Sequence, residues 1–246
     1  MTANATQRHL VVLTGAGISV DSGIRSYRGA DGLWEGHRLE EVATPEAWAR
    51  DPATVWRFYQ ERRGALAGIE PNAAHRALAE AERRVARGGG SFTLVSQNVD
   101  DLHQRAGNDV LAMHGQLLEL LCEVCGAVAV DREHLDPHAF VPCGACGFDR
   151  LRPNVVWFGE LPHHLDAIER AIVRCTDFVA IGTSGVVYPA AGMLAAAREL
   201  GRRTWVQSLD APENLDPADR FRPGRAAEVV PGLIDEVLGG RSKGVG

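Results

Sequence analysis

The sequence predicts an α/β protein, a parallel sheet covered by helices on both faces with a smaller metal-binding module beside it. Three observations predict it. Runs of β-branched and apolar residues recur along the chain and alternate with stretches of helical periodicity; the first run breaks abruptly into Gly-Ala-Gly; and two CxxC pairs share one intervening segment.

The first run, "HLVVL" (His9 to Leu13), leads into "GAGIS", where Gly15 and Gly17 permit a tight turn and a close approach of backbone to phosphate. The third glycine of the usual dinucleotide fingerprint is absent, since Val20 stands there. Residues from about Gly29 to Pro71 carry Trp34, Trp48 and Trp56 with charges at helix-like spacing, and interrupt the strand–helix rhythm. Next, "AAHRALAEAERRVARGGG" from Ala73 places Leu78, Ala81 and Val85 near one face and ends at a glycine stop, as an amphipathic helix does. "SFTLV" is the second strand, and the stretch from about Leu117 to Arg152 is a second interruption. "NVVWF", the helix "LDAIERAIVRC" from Leu165, "DFVAI" and "RTWVQSL" resume the alternation. The uncharged segment from Phe178 to Ala197 is long enough to raise a membrane span, but Gly182, Thr183, Ser184, Gly185 and Pro189 break it into strand, loop and helix. Residues 1–28, 73–116 and 153–246 are thus assigned to the sheet domain, and 29–72 with 117–152 to the small one.

Composition limits the functions available. The chain has 246 residues, a net charge of −6 and a pI near 5.8, so it lacks the basic field that phosphate backbones require, and nucleic acid is not the expected ligand. The first residues lack the layout of a secretory signal, which predicts a cytoplasmic protein without a membrane role, and the "NAT" at Asn4 is then an accidental glycosylation match.

Cys122 and Cys125 form one knuckle, and Cys143 with Cys146 a second, seventeen residues on. Thiolates from two such turns can surround one zinc ion tetrahedrally, and a matched pair of knuckles argues for a closed structural site over thiol exchange. Cys175, at the entry to an apolar strand, reads as an inert core thiol.

Polar groups cluster after the strands. Gln97, Asn98 and Asp100 follow "FTLV", at the strand end where open α/β sheets bind ligands; amide and carboxylate suit ribose hydroxyls and a carboxamide, while Asp100 could equally cap the next helix. In "MHGQL", His114 supplies the side chain best matched to proton removal near neutrality, with His75, His103, His163 and His164 as competitors.

The motifs "GAGIS", "SGIRSYRG", "GLW", "QNVD", "LHQRAG", "MHG", the cysteine pairs, "RPNVVWFGE", "GTS" and "YPAA" occur in the order and approximate spacing of the sirtuins, NAD-dependent protein lysine deacylases. The chain resembles that family from about Val11 to Val237, and looks like its bacterial branch grouped with deacylases of acidic acyl chains. The resemblance implies a Rossmann-like domain, a small domain with a helical part and a zinc ribbon, and a cleft between them. It implies that Gly15, Ala16, Gly17 and Ser19 hold the pyrophosphate, with Gly23, Ile24, Tyr27, Arg28 and Trp34 on the cofactor loop. Gln97, Asn98 and Asp100 would line the ribose and nicotinamide pocket, Gly182, Thr183, Ser184 and Ser208 the adenosine side, and Ala226 would abut adenine. His114 would be the general base. Val156, Phe158, Gly159 and Glu160, similar to the family's substrate-pairing strand, would bind peptide together with Val187 and Tyr188.

NAD is then a reactant: the acyl oxygen of a modified lysine displaces nicotinamide, and the acyl group leaves on ADP-ribose. Tyr59 and Arg62 lie three residues apart and so share a helix side; they match the pair that acid-accepting sirtuins use on succinyl or malonyl lysine. Ser208, where the family typically has Asn, is the main departure. The expected partners are acylated lysines in proteins or peptides, on a monomeric enzyme. Mono-ADP-ribosyl transfer to protein is the rival reaction.

Overall fold

The computed structural model describes residues 7–25, the backbone of 33 and 34, and residues 36–239. In chain order, the strands among the described residues are β1 (His9–Thr14), β2 (Leu33–Trp34), β3 (His37–Arg38), β4 (Ser91–Ser96), β5 (Val110–Ala112), β6 (Gly115–Leu121), β7 (Val128–Val130), β8 (Arg152–Val155), β9 (Asp177–Ile181), β10 (Arg203–Ser208) and β11 (Arg220–Pro223). The α-helices are α1 (Leu39–Val42), α2 (Pro45–Arg50), α3 (Pro52–Ala65), α4 (Ala73–Arg87), α5 (Leu102–Ala106), α6 (Leu165–Arg174), α7 (Ala190–Glu199) and α8 (Ala226–Val237).

Six strands form one parallel sheet in the order β11-β10-β9-β1-β4-β5. Counted along the sheet this is the doubly wound Rossmann order, which reverses direction between β1 and β9. Central strands buried on both faces need continuous apolar runs, and β1 and β9 are buried almost throughout. On one face α4 and α8 cover the sheet through Leu78, Val85, Val230 and Leu233; on the other, α6 and α7 do so through Ile168, Ile172, Met193 and Leu194.

The uncharged stretch after Phe178 divides into β9, a loop and α7, and among the described residues no helix is long and apolar enough to cross a membrane. One expected strand lies elsewhere: of "NVVWF", only Asn154 and Val155 are in a strand, β8, which runs antiparallel to β6 in a separate three-stranded sheet with β7. The edge strands β5 and β11 were not evident in the sequence, being short and only partly buried.

Helices α1 to α3 and the three-stranded sheet share a second core containing Trp48, Trp56, Phe58, Tyr59, Leu117, Leu120 and Trp157. α3 begins at an Asp51 cap with Pro52 in its first turn, and its buried side chains tie it to the cysteine-bearing insert. Trp56 Nε1 donates to the Ala139 carbonyl at 3.0 Å, Gln60 Nε2 to that of His134 at 2.8 Å, and Arg63 Nη2 to that of Asp131 at 2.6 Å.

His75 and His103 lie buried under the sheet edge with ring centroids 4.8 Å apart. Burial pushes their pKa values down to about 4 and about 3, from 6.5. Both rings are therefore neutral in the fold and bind protons only on unfolding. Their stabilising contribution is complete above the unfolded pKa and is lost as pH falls below about 6.5, by up to ~1.4 kcal/mol per pH unit for each ring. The urea midpoint should be flat above pH 7 and drop between pH 6.5 and 5, before carboxylates titrate; a midpoint unchanged to pH 5 would contradict the neutral assignment.

Candidate active site

Strand register aligns the functional loops. Thr14 pairs with both Ser96 and Ile181, Ile181 with Gln207, and Ser96 with Ala112. The next residues, Gly15, Gln97, Gly182, Ser208 and Met113, therefore form one row along the carboxyl edge of the sheet, with His114 just beyond. The row is centred on the point where strand order reverses, the ligand crevice of open α/β sheets.

The glycines serve that point differently from the sequence expectation. Gly15 N–H donates to the Ile181 carbonyl at 2.9 Å and Gly17 N–H to that of Gly182 at 2.8 Å, so neither is directed at an outside phosphate. Both pack closely against the backbone of the loop after β9. A Cβ on Gly17 would lie 2.7 Å from Gly182 Cα, and Gly182 itself has φ +62. After Gly15 the chain turns through two 3₁₀ segments, Ala16–Ile18 and Val20–Ser22, rather than entering an α-helix. Gly23, at φ 99, closes the second, and Ile24 packs against the small-module core. Tyr27, Arg28 and the side chain of Trp34 lie outside the described residues.

Beside the glycines is a buried polar cluster. Asn98 Nδ2 donates to the Gly15 carbonyl and the Ser19 hydroxyl, both at 3.2 Å, and Ser19 Oγ donates to Asp100 Oδ2 at 3.0 Å. The other Asp100 oxygen accepts Leu102 N–H at 3.2 Å, but the N-cap of α5 is Asp101, without a side-chain cap bond, so Asp100 sits one residue before the cap with its carboxyl turned into the polar cluster. Burial raises the Asp100 pKa, while the charge of Arg62 opposes that shift. Gln97 Nε2 donates to Thr183 Oγ1 at 3.2 Å, bridging the loops after β4 and β9.

His114 is half-buried, with Nδ1 at 2.8 Å from the Gln97 carbonyl oxygen. A carbonyl can only accept, so the proton sits on Nδ1 and Nε2 carries the lone pair. Burial lowers the ring's pKa, partly offset by the Gln97 hydrogen bond, which keeps it neutral at physiological pH. The competitors differ: His75 and His103 are enclosed, and His164 sits at the start of α6.

The His114 carbonyl accepts Val156 N–H at 2.9 Å, fixing the loop after β8 beside the imidazole. The strand expected over Val156–Glu160 stops at Val155, because the following N–H groups turn inward: Trp157 N–H to Glu160 Oε2, Phe158 N–H to the Ala43 carbonyl and Glu160 N–H to that of Trp157. Gly159 makes the turn at φ 94. Phe158 and Tyr188 expose large apolar surface near this loop and the α7 entry, and Val187 carbonyl accepts the Ala191 N–H of α7. Tyr59 is fully buried on α3 and Arg62 half-buried, its guanidinium 5.5 Å from the Phe58 ring centroid.

On the β10 side, Ser208 Oγ donates to the Asp210 carbonyl, and Ser184 carbonyl accepts Glu213 N–H at 3.2 Å. Ala226 is buried in the first turn of α8, where Asp21 accepts the Ala227 N–H at 2.9 Å.

The four knuckle sulfurs lie within 4.8 Å of one another, with Cys122–Cys146 at 3.6 Å and Cys125–Cys143 at 3.7 Å. A disulfide would need about 2.05 Å. A tetrahedron with metal–sulfur bonds of about 2.3 Å has edges of about 3.8 Å, so the four thiolates fit one zinc ion. Four cysteines leave no open coordination position, which makes the metal structural. Cys175 is fully buried and burial pushes its thiol up to about 11, in keeping with an inert core residue.

Trp157 and Arg152 had not been singled out in the sequence. Trp157 looks there like one more apolar residue, and only tertiary contacts reveal its polar partners.

A sequence model of the Sir2 family matches residues 15–189. An NAD-dependent protein deacylase of Caulobacter vibrioides is 48% identical over 92% of this chain and 95% of its own, and one of Escherichia coli is 46% identical over 96% and 84%. A crystal structure of a Sir2 homologue in complex with NAD superposes with a TM-score of 0.83 at 38% identity, covering 94% of this chain and 89% of the other. The family match spans most of the chain and holds Gly15, Gln97, Met113, His114 and Gly182 of the sheet-edge row together with the cysteine knuckles, so this chain belongs to the Sir2 family.

Proposed function

We propose that the chain is an NAD-dependent protein lysine deacylase that removes acetyl groups and, through Tyr59 and Arg62, succinyl or malonyl groups, releasing nicotinamide and O-acyl-ADP-ribose. The observation that carries the reading is the row from Gly182 through Gly15 and Gln97 to His114, which sets a glycine-lined crossing, a buried amide and carboxyl, and a neutral imidazole along one sheet edge.

Bound NAD supplies an electrophilic anomeric carbon, nicotinamide as leaving group, and ribose hydroxyls that take up the acyl chain. The residues present suit it. Gly15 and Gly17 keep the crossing narrow, and Ser19, Asn98 and Asp100 bring hydroxyl, amide and carboxyl groups together in a buried, mutually hydrogen-bonded cluster beside it. Gln97 holds His114 in the tautomer whose Nε2 can accept a proton from a ribose hydroxyl. The loop from Val156 to Glu160, anchored to the His114 backbone, would hold the peptide next to that nitrogen. Fixing both reactants in one cleft supplies a large part of the rate gain. Cys122, Cys125, Cys143 and Cys146 would hold zinc and shape the small module.

Transfer of ADP-ribose to a protein side chain has no observation in its favour, and the relatives are named for deacylation.

Mass spectrometry of acetyl and succinyl peptides, with and without NAD, tests the reading: acyl loss should require NAD and yield O-acyl-ADP-ribose. Arg62→Met should lower kcat/KM on the succinyl peptide roughly tenfold more than on the acetyl peptide, the scale of one charged hydrogen-bonded contact. Equal losses on both would remove the role assigned to Arg62.

A further inference from the structure

The start of α8 is capped from the other end of the chain. Its own N-cap residue, Arg225, makes no side-chain cap bond. Asp21, 206 residues before Ala227, supplies the missing acceptor: Oδ2 takes the Ala227 N–H at 2.9 Å, and Oδ1 lies 2.5 Å from Arg225 Nη2. The Asp21 side chain is 8% exposed and that of Arg225 61%, so the carboxyl is covered while its cationic partner lies at the surface. A carboxyl at a helix N-terminus satisfies an otherwise unpaired N–H and complements the helix dipole. One side chain thus joins two segments that meet only in the fold.

Both segments adjoin residues of the proposed NAD site. Asp21 belongs to the 3₁₀ turn Val20–Ser22, which follows the glycine crossing and leads into Gly23 and Ile24. Arg225 and Ala227 flank Ala226, which packs in the same core as Ile18 of the preceding 3₁₀ turn. Each segment is also braced from elsewhere. Asn72, the N-cap of α4, donates from Nδ2 to the Ile18 carbonyl at 2.8 Å and to Ser22 Oγ at 3.0 Å. Gln207 Nε2 donates to the Gly224 carbonyl at 2.7 Å, and Gly224 N–H to that of Ser208 at 3.1 Å. Asp21 is a charged link between these two braced loops.

We propose that Asp21 is a positioning residue for NAD: by holding Arg225 and the first turn of α8 against the turn after the glycine crossing, it fixes two walls of the adenosine end before the dinucleotide arrives. The proposal rests on the deacylase reading and on the adenine side that the family resemblance assigns to Ala226. A wall already set needs no ordering on binding, whereas a loosened one lowers affinity by that ordering cost. The effect falls on the adenosine half of the ligand. Ser208 and His114 stand toward opposite ends of the sheet-edge row, on the β10 and β5 sides, so the chemistry at the imidazole is left in place.

Steady-state kinetics and calorimetry on variants provide the test. Asp21→Ala should raise KM for NAD and the Kd of ADP-ribose by roughly tenfold, the scale of one lost cap bond to a charged group. In the same variant kcat at saturating NAD and KM for the acetyl peptide should stay within about twofold, a split that a general loss of structure would not produce. Asp21→Asn keeps an acceptor for the Ala227 N–H but loses the ion pair, so both constants should lie between those of Asp21→Ala and the wild type. Arg225→Ala should raise KM for NAD roughly threefold in the wild type and leave it unchanged in an Asp21→Ala background, where its partner is gone. Should Asp21→Ala fold poorly, Asp21→Asn and the exposed Arg225→Ala carry the same readout. Unchanged KM for NAD and Kd for ADP-ribose, or a fall in kcat without a rise in either, overturn the proposal while leaving the deacylase reading intact. A wild type that binds ADP-ribose with Asp21-dependent affinity yet cleaves no acyl peptide removes the deacylase reading and upholds the role of Asp21.

Discussion

Replacing His114 with alanine is expected to lower kcat/KM for deacylation by about two to four orders of magnitude, the usual contribution of a positioned general base. The imidazole carries its proton on the nitrogen that faces the Gln97 carbonyl, and burial keeps it unprotonated, so the other nitrogen is available as base over the physiological range. In the proposed sequence the base acts after nicotinamide has left. Single-turnover release of nicotinamide should therefore survive better in His114→Ala than formation of O-acyl-ADP-ribose, and rapid quench with chromatographic separation of the two products measures the difference. The fold should lose only about 1 kcal/mol, the value of one hydrogen bond, which thermal denaturation reports. In the wild type, activity should fall with acid as the ring takes a proton, at a pH below the ordinary histidine value because burial lowers its pKa. A His114→Ala variant with undiminished product formation would end the assignment.

Metal removal should have the largest effect on stability. Elemental analysis is expected to find one zinc per chain, bound by Cys122, Cys125, Cys143 and Cys146. Zinc binding in small metal domains is itself folding energy, so Cys143→Ser or a strong chelator should lower the thermal midpoint by more than about 10 °C, equivalent to several kcal/mol in a protein of this size. The damage should also reach the acyl pocket. The insert between the knuckles provides the backbone carbonyls that receive Trp56, Gln60 and Arg63, and these residues seat the helix that carries Tyr59 and Arg62. Loss of metal without any change in melting or in acyl turnover would show that the knuckles do not support the module.

Much of this was readable in the chain because it is local. Buried parallel strands need uninterrupted branched apolar runs, so "HLVVL", "SFTLV" and "DFVAI" announced themselves, as did the periodic apolar faces of the helices over Ala73–Arg87 and Leu165–Arg174. Paired cysteines at knuckle spacing are equally local. "NVVWF" misled for the same reason: its composition says strand, but composition carries no information about which sheet receives it, and its pairing with Gly115–Leu121 is a contact between distant segments. The glycines of "GAGIS" were correctly marked as needing room, but what fills that room is the backbone of Gly182, far along the chain.

The sequence alone determined the fold class, the four zinc-binding cysteines and the family, since each rests on residue type and spacing along one strand of chain. Tertiary structure alone decided that Gly15, Gln97, Gly182 and the residue before His114 share one edge, which nitrogen of His114 is protonated, and that the Trp157 indole donates to the Tyr59 hydroxyl. Spacing fixes what a segment can form locally. Strand register and hydrogen-bond direction belong to pairs of segments, and they exist only once the chain has brought those segments together.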